Sequence, residues 1–235
     1  MLIGHFAVAF AAKRAVPRVS LGVLVAATEL IDLLWPLFLF AGWESVRIDP
    51  GNTAFTPLAF VHYPITHSLV GAAGWSILFG LLYWAFTRYA AGAVVVGLVA
   101  VSHWFLDALV HRPDLPLYPG SSPLIGLGLW NSVAGTVLLE GAMFLAAVWF
   151  YVSGTRPRDR VGRYALWSFV AFLLLIYVAN LLGPPPPSVQ AIAWAGLSLY
   201  LIPLWAGWFD RHRNVAGGET AGDRVDAPSP VDRIG

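Results

Sequence analysis

The 235-residue chain has no Cys, only two Met and few charges, with 11% of its residues Asp, Glu, Lys or Arg. Without Cys there is no disulfide, no thiolate metal site and no cysteine nucleophile. So few charges exclude a water-soluble globule, in which about 25% of residues are charged. The 14 Lys and Arg nearly cancel the 13 Asp and Glu, so the basic excess that a nucleic-acid partner requires is missing too. Apolar residues fill the chain instead. Hydrophobic types make up 58% of it, eleven residues are Trp, and the mean hydropathy is +0.69.

Five runs reach the roughly 20 residues that a helix needs to cross a hydrocarbon core: Val19–Gly42, His67–Thr87, Ala90–Val110, Leu124–Val152 and Tyr164–Gly183. A sixth is Ser188–Phe209, reached through the stiff Pro184–Pro187 turn. The apolar stretch Leu2–Ala12 is too short to span. It lacks the basic leader and cleavage site of a secretory signal, so a retained short helix, re-entrant or packed within the bundle, is expected. Residues 211–235, rich in Gly, Asp, Pro and Arg, read as a disordered cytoplasmic tail. The expected fold is all-α: one multi-pass transmembrane helical bundle over residues 1–210, with about six spans plus the short N-terminal helix. Spans five and six hold no ionisable residue, which places any chemistry within residues 1–140.

Basic residues near span ends stay on the cytoplasmic side. Lys13, Arg14 and Arg18 precede span one, Arg88 follows span two, Arg156 to Arg163 follow span four, and Arg211 and Arg213 follow span six. The opposite loops hold only Arg47 and Arg112. This asymmetry predicts a multi-pass inner-membrane protein with both termini cytoplasmic. The Trp residues suit interfacial anchoring, Asn131 suits a helix cap, and Gly71–Gly74 suits close helix packing.

An Asp at the centre of a membrane helix costs about 2.5 kcal/mol or more, so such residues face a cavity or one another. Glu29 and Asp32 lie in span one, His103 and Asp107 in span three, Glu140 in span four, and His5 in the N-terminal helix. His62 and His67 stand at the mouth of span two, and His111 and Asp114 just beyond span three. Counted along straight helices from the cytoplasmic arginines, Asp32 and His103 both stand roughly 21–22 Å up, whereas His5 reaches only about 12 Å. Residues at i and i+4 share a helix face, so His103, Asp107 and His111 form one stripe, and Glu29 and Asp32, at i and i+3, form another. Imidazole with carboxylate and no thiolate is a ligand set for zinc, or for manganese or iron.

The order His5, Glu29-Leu30-Ile31-Asp32, His62-Tyr63-Pro64-Ile65-Thr66-His67-Ser68, His103-Trp104-Phe105-Leu106-Asp107 resembles the bacterial membrane-bound, predicted metal-dependent hydrolases, an inner-membrane group with LexA-regulated members. The resemblance spans roughly residues 1–130. It implies a metal-binding set of His5, Asp32, His62, His67, His103 and Asp107. Glu29 stands where the family usually has Asp, and Tyr63-Pro64 replaces an Arg-Gly; Arg112 is a candidate substitute cation and His111 a further candidate ligand.

The expected function is therefore a metal-dependent hydrolase acting on a lipid or a lipid-linked ester or phosphoester at the outer leaflet. Glu29 or Glu140 is the expected catalytic proton carrier and zinc the first-choice divalent metal. The rival readings are a proton- or cation-coupled transporter, and a structural membrane protein in which the polar residues only lock helices together. The sequence names no protein partner.

Overall fold

The computed structural model describes residues 1–216, and its helices follow the apolar runs. The N-terminal helix α1 (Ile3–Ala15) is short and almost wholly buried. The first membrane-length segment is two helices, α2 (Leu21–Thr28) and α3 (Leu30–Phe40), bent by 53° at Glu29. Ser20 starts α2 by accepting the Gly22 amide. Within α3, Pro36 has no N–H to give, which deprives the Asp32 carbonyl of its ordinary helical partner.

An antiparallel hairpin, β1 (Ser45–Ile48) with β2 (Leu58–His62), leads into the one-turn helix α4 (Pro64–His67). Then follow α5 (Leu69–Thr87), capped by Ser68, and α6 (Ala90–Val110). A small loop pairs β3 (Leu115–Pro116) with β4 (Leu124–Ile125), and α7 (Val133–Ser153) follows, with Ser132 as its cap. Next come β5 (Thr155–Pro157), α8 (Arg160–Leu182) capped by Asp159, α9 (Val189–Ser198), α10 (Leu201–Arg211) and β6 (Arg213–Val215), which pairs with β5. Among the described residues, α5, α6, α7, α8 and the α9–α10 segment are each long and apolar enough to cross a membrane, and the bent α2–α3 pair makes a sixth candidate. The expected helical bundle of about six spans with a short N-terminal helix is what the chain forms.

Several expected boundaries move. Span four begins at Val133 rather than Leu124, because Gly126 and Gly128 adopt left-handed conformations and Leu124–Ile125 pairs as a strand. Ser132 caps this helix in place of Asn131. The expected tail begins later than residue 211, since Arg213–Val215 is held on β5; the rest of it lies outside the described residues.

The core forms where α1 threads between α2, α6 and α7. Phe10 of α1 sits edge-on to Phe144, Tyr151 and Phe169, all buried. Below this aromatic layer, Lys13 Nζ donates to Asp210 Oδ2 at 2.7 Å and to the Val19 carbonyl, while Asp210 also accepts from the Leu21 amide and the Tyr151 hydroxyl. This buried ion pair joins α1, α2, α7 and α10. Asp210 falls one residue beyond the sixth span as read from sequence. The same end carries the arginines: Arg14 stacks on Phe150 and Arg18 on Tyr89.

Candidate metal centre

Above the aromatic layer, α1, α3, α4 and α6 bring their ionisable residues to one place. His5 stacks on His103 with ring centroids 3.6 Å apart, and His67 lies edge-on to His103 at 5.8 Å. Asp107 is the hub. Its Oδ1 meets the Met1 amino group and His5 Nε2, the latter at 3.0 Å, while its Oδ2 lies 3.1 Å from His103 Nε2 and 4.0 Å from the Nε2 atoms of both His67 and His111. Asp32 closes the group, with Oδ1 3.2 Å from His67 Nε2 and Oδ2 3.7 Å from His103 Nε2. Two overlapping sets, His5, His103 and Asp107, and Asp32, His67 and His103, have ligand atoms close enough to share an ion.

Each histidine on α4 and α6 is aimed by its other ring nitrogen. His103 Nδ1 lies 2.6 Å from the Thr28 carbonyl, which only accepts, so Nδ1 carries a proton and in the neutral ring the lone pair is on Nε2. His67 Nδ1 lies 2.7 Å from the Thr66 hydroxyl, whose single proton is directed at Glu44 Oε2, also at 2.7 Å. Glu44 accepts the Ile65 and Thr66 amides through its other oxygen. His67 therefore donates to Thr66 through Nδ1 and turns Nε2 inward. Backbone contacts keep α4 in place: Trp104 Nε1 donates to the His67 carbonyl and Trp75 Nε1 to that of Ile65.

The local sequence explains why these elements sit where they do. The break at Glu29 exposes the Thr28 carbonyl to His103 and swings Asp32 toward α4. Thr28 Oγ1 donates to the His5 carbonyl, tying α1 to the break. The straight-helix depth count left His5 too low because it treated span one as unbent and Lys13 as an interfacial residue, whereas Lys13 is buried on Asp210.

Of the expected metal set, the structure brings together His5, Asp32, His67, His103 and Asp107. His62 is set apart: it ends β2 at the register irregularity opposite Ser45 with its side chain exposed, and Tyr63 turns inward in its place. The two expected catalytic residues have different surroundings. Glu29 is buried at the α2–α3 break with Oε1 free of hydrogen bonds. Glu140 Oε2 accepts the amides of Leu2 and Gly4 at 2.9 and 3.1 Å, so this carboxylate serves the N-terminus of α1. Sequence reading missed Glu44 and Thr66, for which a lone loop Glu and a Thr before a His give little signal.

Asp32 is the member that reaches the surface, with its side chain 28% exposed against 3% or less for the neighbouring His67, His103 and Asp107. Tyr63 lies outside the spans, and its hydroxyl donates to Asp114 Oδ1; burial and that carboxylate push its pKa upward, so it remains a donor.

No curated protein and no solved structure matches the chain. A family model described as YdjM inner membrane protein matches residues 1–183, which runs from α1 through α8 and includes every residue of the cluster. The resemblance seen in the motifs is thereby borne out over more of the chain than the motifs cover, and the chain belongs to the YdjM inner membrane protein family, a predicted membrane-bound metal-dependent hydrolase family.

Proposed function

We propose that the chain is a metal-dependent hydrolase whose ion is held by His67, His103, Asp107, Asp32 and His5. The observation that carries this reading is the convergence of inward Nε2 atoms and carboxylate oxygens within ion-binding reach. His67 and His103 both direct Nδ1 to outer acceptors, so in the neutral rings both Nε2 lone pairs face the carboxylates of Asp32 and Asp107, a donor set that a cation would complete. His103 Nε2 is accordingly buried without a hydrogen-bond partner. Nitrogen and oxygen donors without sulfur suit zinc, with manganese or iron as alternatives. A bound ion of this kind lowers the pKa of a water ligand toward about 7 and polarises a scissile carbonyl or phosphoryl group.

The protein's own residues supply the rest. Asp32, on the open side, is where substrate meets the cluster. Glu29, whose carboxylate has no hydrogen bond among the described residues, is assigned the proton transfer; Glu140, which has a free Oε1 but holds two amides through Oε2, is not. The arginine-bearing ends of α1, α6, α7 and α10 lie together and are read as cytoplasmic. That orientation puts the cluster toward the outer leaflet, which favours a lipid or lipid-linked ester or phosphoester as substrate. Transport is disfavoured because the buried Phe10, Phe144, Tyr151 and Phe169 layer stands between the cluster and the Lys13–Asp210 pair.

The test is metal content and hydrolysis by the detergent-purified protein, presented with phospholipids and polyprenyl phosphoesters, alongside His103→Ala and Asp107→Ala. Stoichiometric metal and turnover lost in both variants support the assignment. A folded wild-type protein that takes up no zinc, manganese or iron overturns it.

A further inference from the structure

His111 lies one helical turn beyond Asp107, at the point where α6 ends. The family resemblance gives it no role, yet its surroundings repeat those of the other two cluster histidines on α4 and α6. Its Nδ1 is 2.9 Å from Asp114 Oδ1, and the same oxygen accepts the Tyr63 hydroxyl at 3.0 Å. With Asp114 Oδ1 accepting from Nδ1, the neutral His111 ring turns its Nε2 lone pair toward Asp107. That nitrogen lies 4.0 Å from Asp107 Oδ2, the same distance as His67 Nε2 from that oxygen. Two atoms sharing one ion through bonds of about 2.0–2.2 Å can be no more than about 4.4 Å apart, so the spacing admits an ion between them.

The ring is 2% exposed, with Trp130 at 4.2 Å and Phe60 at 4.8 Å between centroids. A histidine that only capped α6 would have no need of a carboxylate behind it and an oxygen ahead of it in a dry aromatic pocket. Carboxylate, imidazole and ion in series is a recurring arrangement of metal sites, in which the carboxylate fixes the tautomer and raises ligand basicity.

We propose that His111 is a further metal ligand through Nε2, with Asp114 and Tyr63 as its positioning residues, so that Asp107 Oδ2 is shared between the ion-binding set already described and His111. The ion class is the same: a divalent transition ion that accepts imidazole nitrogen and carboxylate oxygen. This rests on the metal reading of the cluster and enlarges it from α1, α3, α4 and α6 to the loop after α6. Replacement of the Arg-Gly pair by Tyr63-Pro64 then has a consequence at the site, because Tyr63 is the residue that holds Asp114.

The decisive variant is His111→Asn, whose side-chain amide still donates to Asp114 but has no group at the Nε2 position. Zinc affinity is measured by chelator competition on the full-length protein in detergent, and cobalt(II) absorption reports the ligand field. His111→Asn is expected to lose at least about 100-fold in zinc affinity and to shift the cobalt band. Asp114→Asn should lose about 10- to 100-fold and Tyr63→Phe less, with an altered cobalt spectrum in each and unchanged helicity. Wild-type affinity and spectrum in a folded His111→Asn overturn the proposal, and if that variant does not fold, the same result in Asp114→Asn does so. The two levels separate cleanly: metal lost in His103→Ala but kept in His111→Asn sinks only the His111 assignment, whereas a metal-free wild type sinks the cluster reading with it.

Discussion

A neutral histidine that gives its Nδ1 proton to a fixed acceptor has its Nε2 lone pair aimed the other way. His67 depends for this on the Thr66 hydroxyl, and that hydroxyl depends on Glu44. Thr66→Val keeps the shape and removes the acceptor. It should weaken zinc binding by about 10- to 100-fold, seen in chelator competition. The stranded imidazole N–H should also lower stability by about 1–3 kcal/mol, seen in thermal denaturation in detergent. The two glutamates should part company. Glu29→Gln is expected to keep bound metal and helical content while hydrolysis falls by about 10²–10⁴-fold. Glu140→Ala, which strips the Leu2 and Gly4 amides of their acceptor, is expected to lower stability by about 1–3 kcal/mol while turnover per bound metal holds. Equal losses of turnover per metal in both variants would contradict this division. The spacing of His103 and Asp107 is readable because four residues make one turn. Glu44 is not, since nothing in the sequence links a loop carboxylate to a threonine 22 positions later.

At the level of elements, apolar runs mark α5, α6 and α8 closely, because membrane helices must satisfy their backbone bonds internally and extend as far as the apolar run does. The break at Glu29 leaves no such mark: no Gly or Pro stands there, and the two halves of the 53° bend pack on different partners, α2 on α10, α1 and α6 and α3 chiefly on α9. One of those contacts is the close approach of α2 to α10. A Cβ on Gly22 would lie 2.5 Å from the Pro203 carbonyl oxygen and 2.9 Å from the Gly207 backbone, neither of which can rotate away. Gly22→Ala should therefore push α10 outward and lower stability by about 1–3 kcal/mol, while Gly74→Ala, where a Cβ meets nothing within 4 Å, should have no such effect. Thermal unfolding of both variants in one detergent makes the comparison. An unchanged midpoint for Gly22→Ala would mean that the two helices are free to separate.

For the whole molecule, the sparse charges sort into three layers, and sequence revealed two of them. The arginine ends and the His/Asp cluster stand out because each is rare in so apolar a chain. The Lys13–Asp210 pair between them was hidden, since it joins residues 197 positions apart at opposite ends of the chain. Removing one partner strands the other charge, so Lys13→Met should cost about 3–5 kcal/mol, and the double variant Lys13→Met with Asp210→Leu should recover most of it. The same layering fixes a topology that can be read directly, because a chain without Cys has no background for thiol labelling. Single cysteines at exposed Arg47 in β1 and exposed Arg158 after β5 sit at the two expected faces. In intact spheroplasts a membrane-impermeant maleimide should label Arg47→Cys at once and Arg158→Cys only after permeabilisation. The opposite pattern would turn the cluster toward the cytoplasm, and the substrate would then have to be sought in the inner leaflet.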